Sequence, residues 1–431
     1  MQRIAIPPLE PRLQRRYELM IQTHLRSAPQ LAAGVAAVPG VGSAFAATQA
    51  AWRFLNNERI TLAALVAPLR QVALQRCQSL TAPVVLLVHD WSKLAFDKHK
   101  SDELPLTHKT DIGYELTTAL LVSADDGSPL APMELHLRTA SGMLSTRTPA
   151  PRVRSHLEQV LPTMRASRTW GLDKSILHVI DREADSVDHF RRWDAAGEWF
   201  LVRADDRRVT WQGTSVLLSQ IVKTLRQQGE FTCHGRASYQ GRAAQLWSAE
   251  TPVVLDRPAK KNVRDRRFEK SGRALPLRVA IVEVRNGAGK VLAHWFLLTN
   301  APDSLTAGQL ARCYYWRWRI ESFFKLLKSH GQQLEHWQQE TGPAIARRLL
   351  IAAMACVTVW QLEADASPAG KELQGLLIRL SGRQMKRTKP VTTPALLAGL
   401  WVLLSSLELL EHYSVPELHD LLRQPPLRFT G

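Results

Sequence analysis

The sequence predicts an α/β fold in which a mixed sheet is flanked by helices, and three observations support this fold class. Two apolar runs typical of buried strands each end in an aspartate, namely Asp90 after residues 83–89 and Asp181 after residues 175–180. Residues 314–328 contain neither glycine nor proline and are rich in helix formers, which predicts one long helix. The chain beyond residue 343 carries further helical patterns.

The composition of the chain indicates a soluble protein that binds a polyanionic partner. The 431 residues allow two or three domains, and the 45% hydrophobic and 22% charged content is typical of a soluble protein. The 56 Lys and Arg residues exceed the 39 Asp and Glu residues, giving a net charge of +17. A polyanionic partner is therefore expected, and nucleic acid is the first candidate. The four cysteines form no CxxC pair, so neither a zinc ribbon nor a disulfide framework is expected.

Membrane insertion is not expected. The longest apolar runs, at residues 349–362 and 395–407, fall short of the roughly 20 residues of a membrane span and are expected to form buried helices. The N-terminus lacks the apolar core of a signal peptide. We therefore expect a cytoplasmic, nucleoid-associated protein.

The predicted organisation has three parts. Residues 1–80 form a basic helical region that either reads DNA, with Arg53 among the contacts, or extends the packing of the main domain. Within it helices are expected at residues 44–55 and 62–79, and Pro68 is expected to kink or split the second. Residues 81–342 form the catalytic domain, interrupted by a β-rich insertion at about 205–293, and residues 343–431 form a helical C-terminal region.

Further elements are predicted from periodicity and turn residues. In the catalytic domain, strands are expected at residues 113–123, 130–138, 198–204, 230–239, 245–255, 275–285 and 294–300, and helices at 153–167 and 215–227. In the C-terminal region, helices are expected at residues 343–364, 371–380, 395–411 and 415–423.

The predicted helix at residues 314–328 carries a polar face. Tyr314, Arg317, Glu321 and Lys328 are separated by 3, 4 and 7 residues, which are steps that return to one side of a helix. A carboxylate can hold a metal there, and the neighbouring donors can hold phosphate oxygens. The alternative is a solvated helix face with ordinary ion pairs.

Three acids form the candidate active site. Asp90 and Asp181 end apolar strands, Glu321 lies on the helix, and active sites gather at exposed strand ends in α/β sheets. Carboxylates without Cys or His partners suit Mg²⁺ or Mn²⁺, and two such ions can clamp both oxygens of a phosphodiester displacement. The residues alone therefore predict metal-dependent phosphoryl transfer on nucleic acid. Asp181 also has a simpler interpretation, as an acid that caps the following helix.

Two motifs resemble the signatures of one group of insertion-sequence transposases. One is Asp181-Arg-Glu-Ala-Asp185. The other is the series Tyr314, Arg317, Glu321 and Lys328, which matches the family pattern of Tyr, two residues, Arg, three residues, Glu, six residues, Lys. Residues 50–57 resemble the end of that family's N-terminal DNA-binding region, and residues 294–299 resemble the strand before its glutamate helix.

The resemblance implies a ribonuclease H-like core with an Asp-Asp-Glu triad that cuts an element from flanking DNA through a hairpin and joins it to target DNA. Asp90, Asp181 and Glu321 would then be catalytic and hold two Mg²⁺ or Mn²⁺ ions. The residues predicted to contact DNA are Arg53, Lys93, Arg182, Trp295, Tyr314, Arg317 and Lys328. Trp295 either stacks on a flipped base or belongs to the core. The family's dimers make the C-terminal helices candidate dimer contacts, although residues 395–404 fit an intramolecular core equally well.

One motif departs from the family pattern. The first acid is usually followed by threonine, whereas here the segment is His89-Asp90-Trp91-Ser92, and Asp97 is the alternative first ligand. Two other functions remain open: a catalytically silent domesticated relative that holds element ends, and a structure-specific nuclease with the same core. DNA cleavage with Mg²⁺ distinguishes the silent relative from the enzyme. The terminal sequence, the target preference and the activity of this copy do not follow from the sequence.

Overall fold

The structure is a computed structural model that describes residues 5–26, 44–96, 103–105, 112–150, 155–256, 273–383 and 391–423. Asp97, the alternative first ligand, lies outside these residues.

The described strands form one mixed sheet, as expected for the predicted α/β class. They are β1 (Val84–Leu94), β2 (Leu104–Pro105), β3 (Ile112–Ser123), β4 (Pro129–Thr139), β5 (Gly142–Ser145), β6 (Ser175–Ile180), β7 (Trp199–Ala204), β8 (Arg208–Trp211), β9 (Thr214–Leu217), β10 (Thr232–Tyr239), β11 (Arg242–Leu255), β12 (Leu275–Arg285) and β13 (Val291–Thr299). The order is β5-β4-β3-β1-β6-β7-β13-β12-β11-β8-β9, with β2 on β3 and β10 on β11. The neighbours β1, β6 and β7 run parallel, and the remaining described pairs are antiparallel.

Helices cover both faces of the sheet. They are α1 (Pro11–Arg26), α2 (Ala44–Leu55), α3 (Leu62–Cys77), α4 (His156–Ser167), α5 (Val187–Ala195), α6 (Leu218–Gln227), α7 (Ala307–Tyr315), α8 (Trp318–Leu327), α9 (Gly342–Ala364), α10 (Pro368–Leu380), α11 (Thr393–His412) and α12 (Val415–Arg423). Side chains of α4, α5 and α6 form one apolar core on the sheet, and those of α1–α3 and α7–α11 form a larger one. The sheet is therefore the middle layer of three.

The register of β1 places the first acid. On one side β1 pairs with β6 only as far as His89 beside Ile180, whereas on the other side it pairs with β3 as far as Leu94. The expectation that the strand ends at Asp90 is therefore wrong, because β3 continues the ladder. Asp90 and Asp181 nevertheless both follow the last paired residues of two adjacent parallel strands.

Strands of residues 205–293 belong to the main sheet, because β11 and β12 extend it beyond β13. Two other expectations need correction. The helix expected from residue 215 begins at Leu218, because residues 214–217 pair with β8 as a hairpin. Pro68 does not split α3, which continues through this buried residue. Proline removes one backbone donor there but keeps a helical φ.

The two apolar C-terminal helices differ in burial. By length and composition α9 and α11 could each cross a membrane, with 23 and 20 residues, so the expectation that both runs are too short is wrong. The apolar window of α9 is 89% buried, as expected of a core helix, but that of α11 is only 28% buried. The prediction of a buried helix therefore fails for α11 beyond its first two turns, where Leu400 is the last buried residue.

The N-terminal helices are tied to α9. The Arg347 guanidinium donates to the carbonyl oxygens of Ile60 and Leu55, both at 2.8 Å. His24 of α1 lies 2.6 Å from the Gln332 side chain, in the segment between α8 and α9. These contacts connect the basic N-terminal region to the segment that follows the glutamate helix. The boundary near residue 80 stays a prediction.

Candidate active site

Arg317 joins two of the three predicted acids. Its Nη1 lies 3.1 Å from Asp90 Oδ2, and its Nη2 donates to Glu321 Oε1. The Arg317 side chain is 8% exposed, against 14% for Asp90 and 29% for Glu321. A buried guanidinium between two carboxylates is a strong charge-assisted contact, because little water screens it. Residues 227 positions apart in the chain therefore meet here.

Arg317 lies at a break between two helices, so the prediction of one continuous helix is wrong. The helix α7 ends at Tyr315 and α8 begins at Trp318. Across the junction the amides of Arg317 and Ile320 donate three residues back, to Tyr314 and Arg317, which tightens the turn. The break lies where the Trp316 indole packs over Gly127. A Cβ at Gly127 would overlap that indole, and the φ of Gly127 is +72°.

Asp90 is held in an unfavourable environment for its charge. Burial raises its pKa to about 6, although Arg317 and the Trp91 amide, which donates to Oδ1 at 2.9 Å, act in the opposite direction. Asp181 and Glu321 raise the pKa further, because each is a negative charge close enough to repel the Asp90 carboxylate. All three acids therefore share one electrostatic site, and perturbed carboxyl groups of this kind are typical of functional sites.

Asp181 caps a short 3-10 turn at residues 182–184. Its Oδ1 accepts a hydrogen bond from the Glu183 amide at 2.8 Å. The capping interpretation and the ligand prediction are thus compatible, since one carboxylate oxygen caps the turn while Asp181 also acts electrostatically on Asp90 and Arg317.

Tyr314 lies beside these acids but is buried, with 2% exposure. Burial raises the pKa of its phenol to about 12, against the opposing effect of Arg317 and of Arg203, which hydrogen-bonds the phenol. Sequence reasoning missed Arg203, because it lies near the end of the strand β7 without any motif around it, and only the fold brings it near Tyr314. Burial lowers the pKa of Arg317, but Tyr314, Asp90 and the other acids outweigh this effect and raise it.

Lys328 lies at the opposite end of α8 and contacts β1. Its ammonium donates to the Lys93 carbonyl and lies 3.1 Å from Glu335 Oε1. Glu335 also accepts from the Ala95 amide at 3.1 Å. The structure therefore places both Lys328 and Lys93 along the strand that carries Asp90. Glu335 has no counterpart among the predicted site residues.

The other predicted DNA contacts occupy different positions. Trp295 is 4% exposed and packs on Tyr314, with ring centroids 5.3 Å apart, so its base-stacking role stays a prediction. Arg182 is exposed and lies 3.4 Å from Asp205. Arg53 lies on α2, in a groove away from the acids.

The carboxylates of Asp90, Asp181 and Glu321 suit hard divalent cations. In the part of the chain that the structure describes, no three His, Cys, Asp or Glu side chains are grouped as a ready metal site. The three acids offer only carboxylate oxygens, which suit Mg²⁺ or Mn²⁺ rather than Zn²⁺. Asp90 and Glu321 each place one carboxylate oxygen on Arg317, so the guanidinium competes with a metal ion for these two oxygens.

Comparison with known proteins identifies relatives. A family model described as a transposase DDE domain matches residues 135–358, which include Asp181 and Glu321 but not Asp90. The putative transposase InsL of insertion sequence element IS186A from Escherichia coli K12 is 30% identical over 207 residues, or 46% of this chain and 55% of the relative. The transposase of insertion sequence element IS421 from Escherichia coli is also 30% identical over 207 residues. The match spans about half the length of these curated relatives.

One solved structure with a likeness over most of the chain is a piggyBac transposase synaptic complex with hairpin DNA. It covers 96% of this chain and 72% of its own, with 10% sequence identity and a TM-score of 0.38.

Proposed function

This chain belongs to the transposase DDE domain family, and we propose that it is a DNA transposase that cuts an element from flanking DNA and joins it to target DNA. The observation that carries the proposal is that the buried Arg317 guanidinium contacts both Asp90 and Glu321, and that Asp181 lies close enough to act electrostatically on Asp90 and Arg317. A protein that only binds DNA has no need of three acids in one site. The mixed sheet, with two acids after adjacent parallel strands and one on a flanking helix, supports a ribonuclease H-like core.

In this proposal the three carboxylates hold the divalent metal ions that the family generally uses, here two Mg²⁺ or Mn²⁺ ions. When bound, such ions lower the pKa of an attacking water or hydroxyl and neutralise charge on the reacting phosphate. Burial raises the pKa of Asp90, and a cation favours its charged form, so metal binding and ionisation of Asp90 assist each other.

The cations of the site bind the DNA backbone. Arg317 is the residue closest to the acids, and its planar donors match two phosphate oxygens. We propose that Arg317 exchanges its carboxylate partners for a phosphate when DNA binds, which releases Asp90 and Glu321 for the metal. Tyr314 lies beside Arg317 and positions it, and Lys328 holds a phosphate farther along α8.

A second basic surface supports binding of the element ends. The groove between α1 and α2 has a volume of about 470 Å³ and is lined by five arginines, one acid, Asn57 and four apolar side chains. The arginines are Arg12, Arg15, Arg16, Arg53 and Arg59, and the acid is Glu10. Five guanidinium groups on one groove match the phosphates of double-stranded DNA, whereas a packing surface would bury them.

We also propose a homodimer on DNA and a cytoplasmic, nucleoid-associated location. The exposed apolar side chains of α11 and α12, among them Val402, Leu407, Leu410, Val415 and Leu421, offer a surface that a second copy can cover. Light scattering of the protein with and without end DNA tests the homodimer, and a monomer under both conditions contradicts the proposed dimer.

The test of the proposed activity is cleavage of a linear DNA that carries the element's ends and flanks. Wild type and Glu321→Gln are compared in Mg²⁺ and in Ca²⁺, with Glu372→Gln, an exposed glutamate of α10, as the matched control. We expect Mg²⁺-dependent release of flanking DNA by wild type and Glu372→Gln alone, and a denaturing gel shows whether the released ends are hairpins. Tight binding of the ends without cutting in any metal would instead establish the catalytically silent relative.

A further inference from the structure

Trp91 directly follows Asp90, Glu183 lies two residues after Asp181, and the backbone of each contacts the aspartate before it. The Trp91 amide donates to Asp90 Oδ1 at 2.9 Å, and the Glu183 amide donates to Asp181 Oδ1 at 2.8 Å. Each aspartate is thus oriented by the backbone of one of these two residues.

The side chains of the same two residues are joined to each other. Trp91 Nε1 donates to Glu183 Oε2 at 2.9 Å. This hydrogen bond connects β1 to the turn after β6, at the point where the backbone pairing of the two strands has ended with His89 and Ile180. It is therefore a side-chain continuation of the contact between the two strands.

The indole is held on its other side by His156, the first residue of α4. The two rings stack with centroids 3.9 Å apart and planes at 20°. The His156 Nδ1 lies 3.2 Å from Glu115 Oε2, on the neighbouring strand β3, and its Nε2 lies 3.7 Å from Glu183 Oε2. The indole is thus fixed by a stacking contact and a hydrogen bond at once, which restricts both of its side-chain torsions.

We propose that Trp91 and Glu183 are positioning residues that set the separation and orientation of the Asp90 and Asp181 carboxylates. The clamp formed by Trp91, Glu183 and His156 acts through the two amides, because a shift of either side chain moves the backbone that holds each aspartate. Successive side chains of a strand point to opposite faces, so the Trp91 indole braces β1 from the face opposite to the Asp90 carboxylate.

The inference rests on the proposed function, since it concerns carboxylates that are proposed to hold a metal. Groups that orient metal ligands typically change metal affinity by about 10–100-fold when they are removed. A contact that only stabilised the fold would change the melting temperature without such a change in metal affinity. Metal affinity therefore separates positioning from stabilisation.

The experiment is calorimetric titration of the 431-residue protein with Mn²⁺, accompanied by thermal melts. Trp91→Phe keeps a ring to stack on His156 but loses the donor, Glu183→Ala loses the acceptor, and Glu183→Gln keeps an acceptor oxygen. The matched control is Trp211→Phe, which loses an indole hydrogen bond of 3.0 Å to Thr251 on β11, far along the sheet.

We expect the Mn²⁺ dissociation constant to rise about 10-fold or more in Trp91→Phe and Glu183→Ala, and to stay within about two-fold of wild type in Glu183→Gln and Trp211→Phe. Wild-type affinity in Trp91→Phe and Glu183→Ala overturns the proposal, whatever their melting temperatures. A titration of Asp90→Asn tests the proposed metal site separately. If Asp90→Asn binds Mn²⁺ as tightly as wild type does, Asp90 is not a metal ligand, and both the proposed metal site and the positioning role are contradicted.

Discussion

Asp90→Asn is expected to make the protein more stable while it removes activity. Burial raises the pKa of Asp90 from its usual value of 3.8 to about 6, so the folded protein favours the neutral form. At neutral pH the charged carboxylate therefore costs about 3 kcal/mol of folding free energy, the equivalent of this pKa difference. Asparagine has a similar shape and carries no charge, so it avoids that cost.

The pH dependence has a defined sign. Because the folded pKa lies above the unfolded one, the cost is absent below pH 3.8, grows as the pH rises towards about 6, and is complete above that value. The stability difference between Asp90→Asn and wild type should therefore be large at pH 8 and small at pH 4. For 431 residues that unfold together, about 3 kcal/mol corresponds to a rise of about 3 °C in Tm.

The assay is a series of thermal melts in EDTA from pH 4 to pH 8. The control is Asp420→Asn, which alters an exposed aspartate of α12. A Tm of Asp90→Asn at or below that of wild type at pH 8 would show that the Asp90 charge is not costly and would refute this reasoning.

Three further perturbations have defined outcomes. Glu335→Gln should tighten binding of end DNA by about 2–5-fold, because Lys328 loses the partner at 3.1 Å that competes with phosphate, and unchanged anisotropy titrations would count against this. Arg53→Ala should weaken DNA binding. If Arg53 contacts a phosphate, the slope of log affinity against log salt should become less steep by about 0.9. An unaltered slope would show that Arg53 does not contact the DNA backbone. Trp295→Ala should lower the free energy of unfolding by about 3–5 kcal/mol, because Trp295 is 4% exposed, and denaturant melts that show less than about 1 kcal/mol would place the indole outside the core.

Local patterns predicted most of the elements. The α2 helix spans the predicted residues 44–55, and α9 through α12 begin within three residues of their predicted starts. These elements are determined by apolar periodicity and by capping residues that lie within a few positions in the chain. The two strands that deliver aspartates were predictable for the same reason, since each is a continuous apolar run.

The sequence predicted which residue types form the candidate active site, but it did not predict the contacts between them. Nothing in the chain near Arg317 indicates the helix break, because it lies where Trp316 packs on Gly127, almost two hundred residues earlier. Likewise, the pairing of β13 with β7 and the contact between Trp91 and Glu183 depend on the register of distant strands. Such long-range pairings are decided by the whole fold, and local propensity does not contain them.

The most direct test of the central claim is to map where a metal lies in the protein. Fe²⁺ replaces the divalent ion, and the radicals that it generates with ascorbate and peroxide cut the backbone close to the metal. The account predicts three groups of cuts, near residues 90, 181 and 321, that excess Mg²⁺ suppresses and that Glu321→Gln weakens. Cuts confined to one of these segments, or cuts elsewhere in the chain, would contradict a shared centre of Asp90, Asp181 and Glu321.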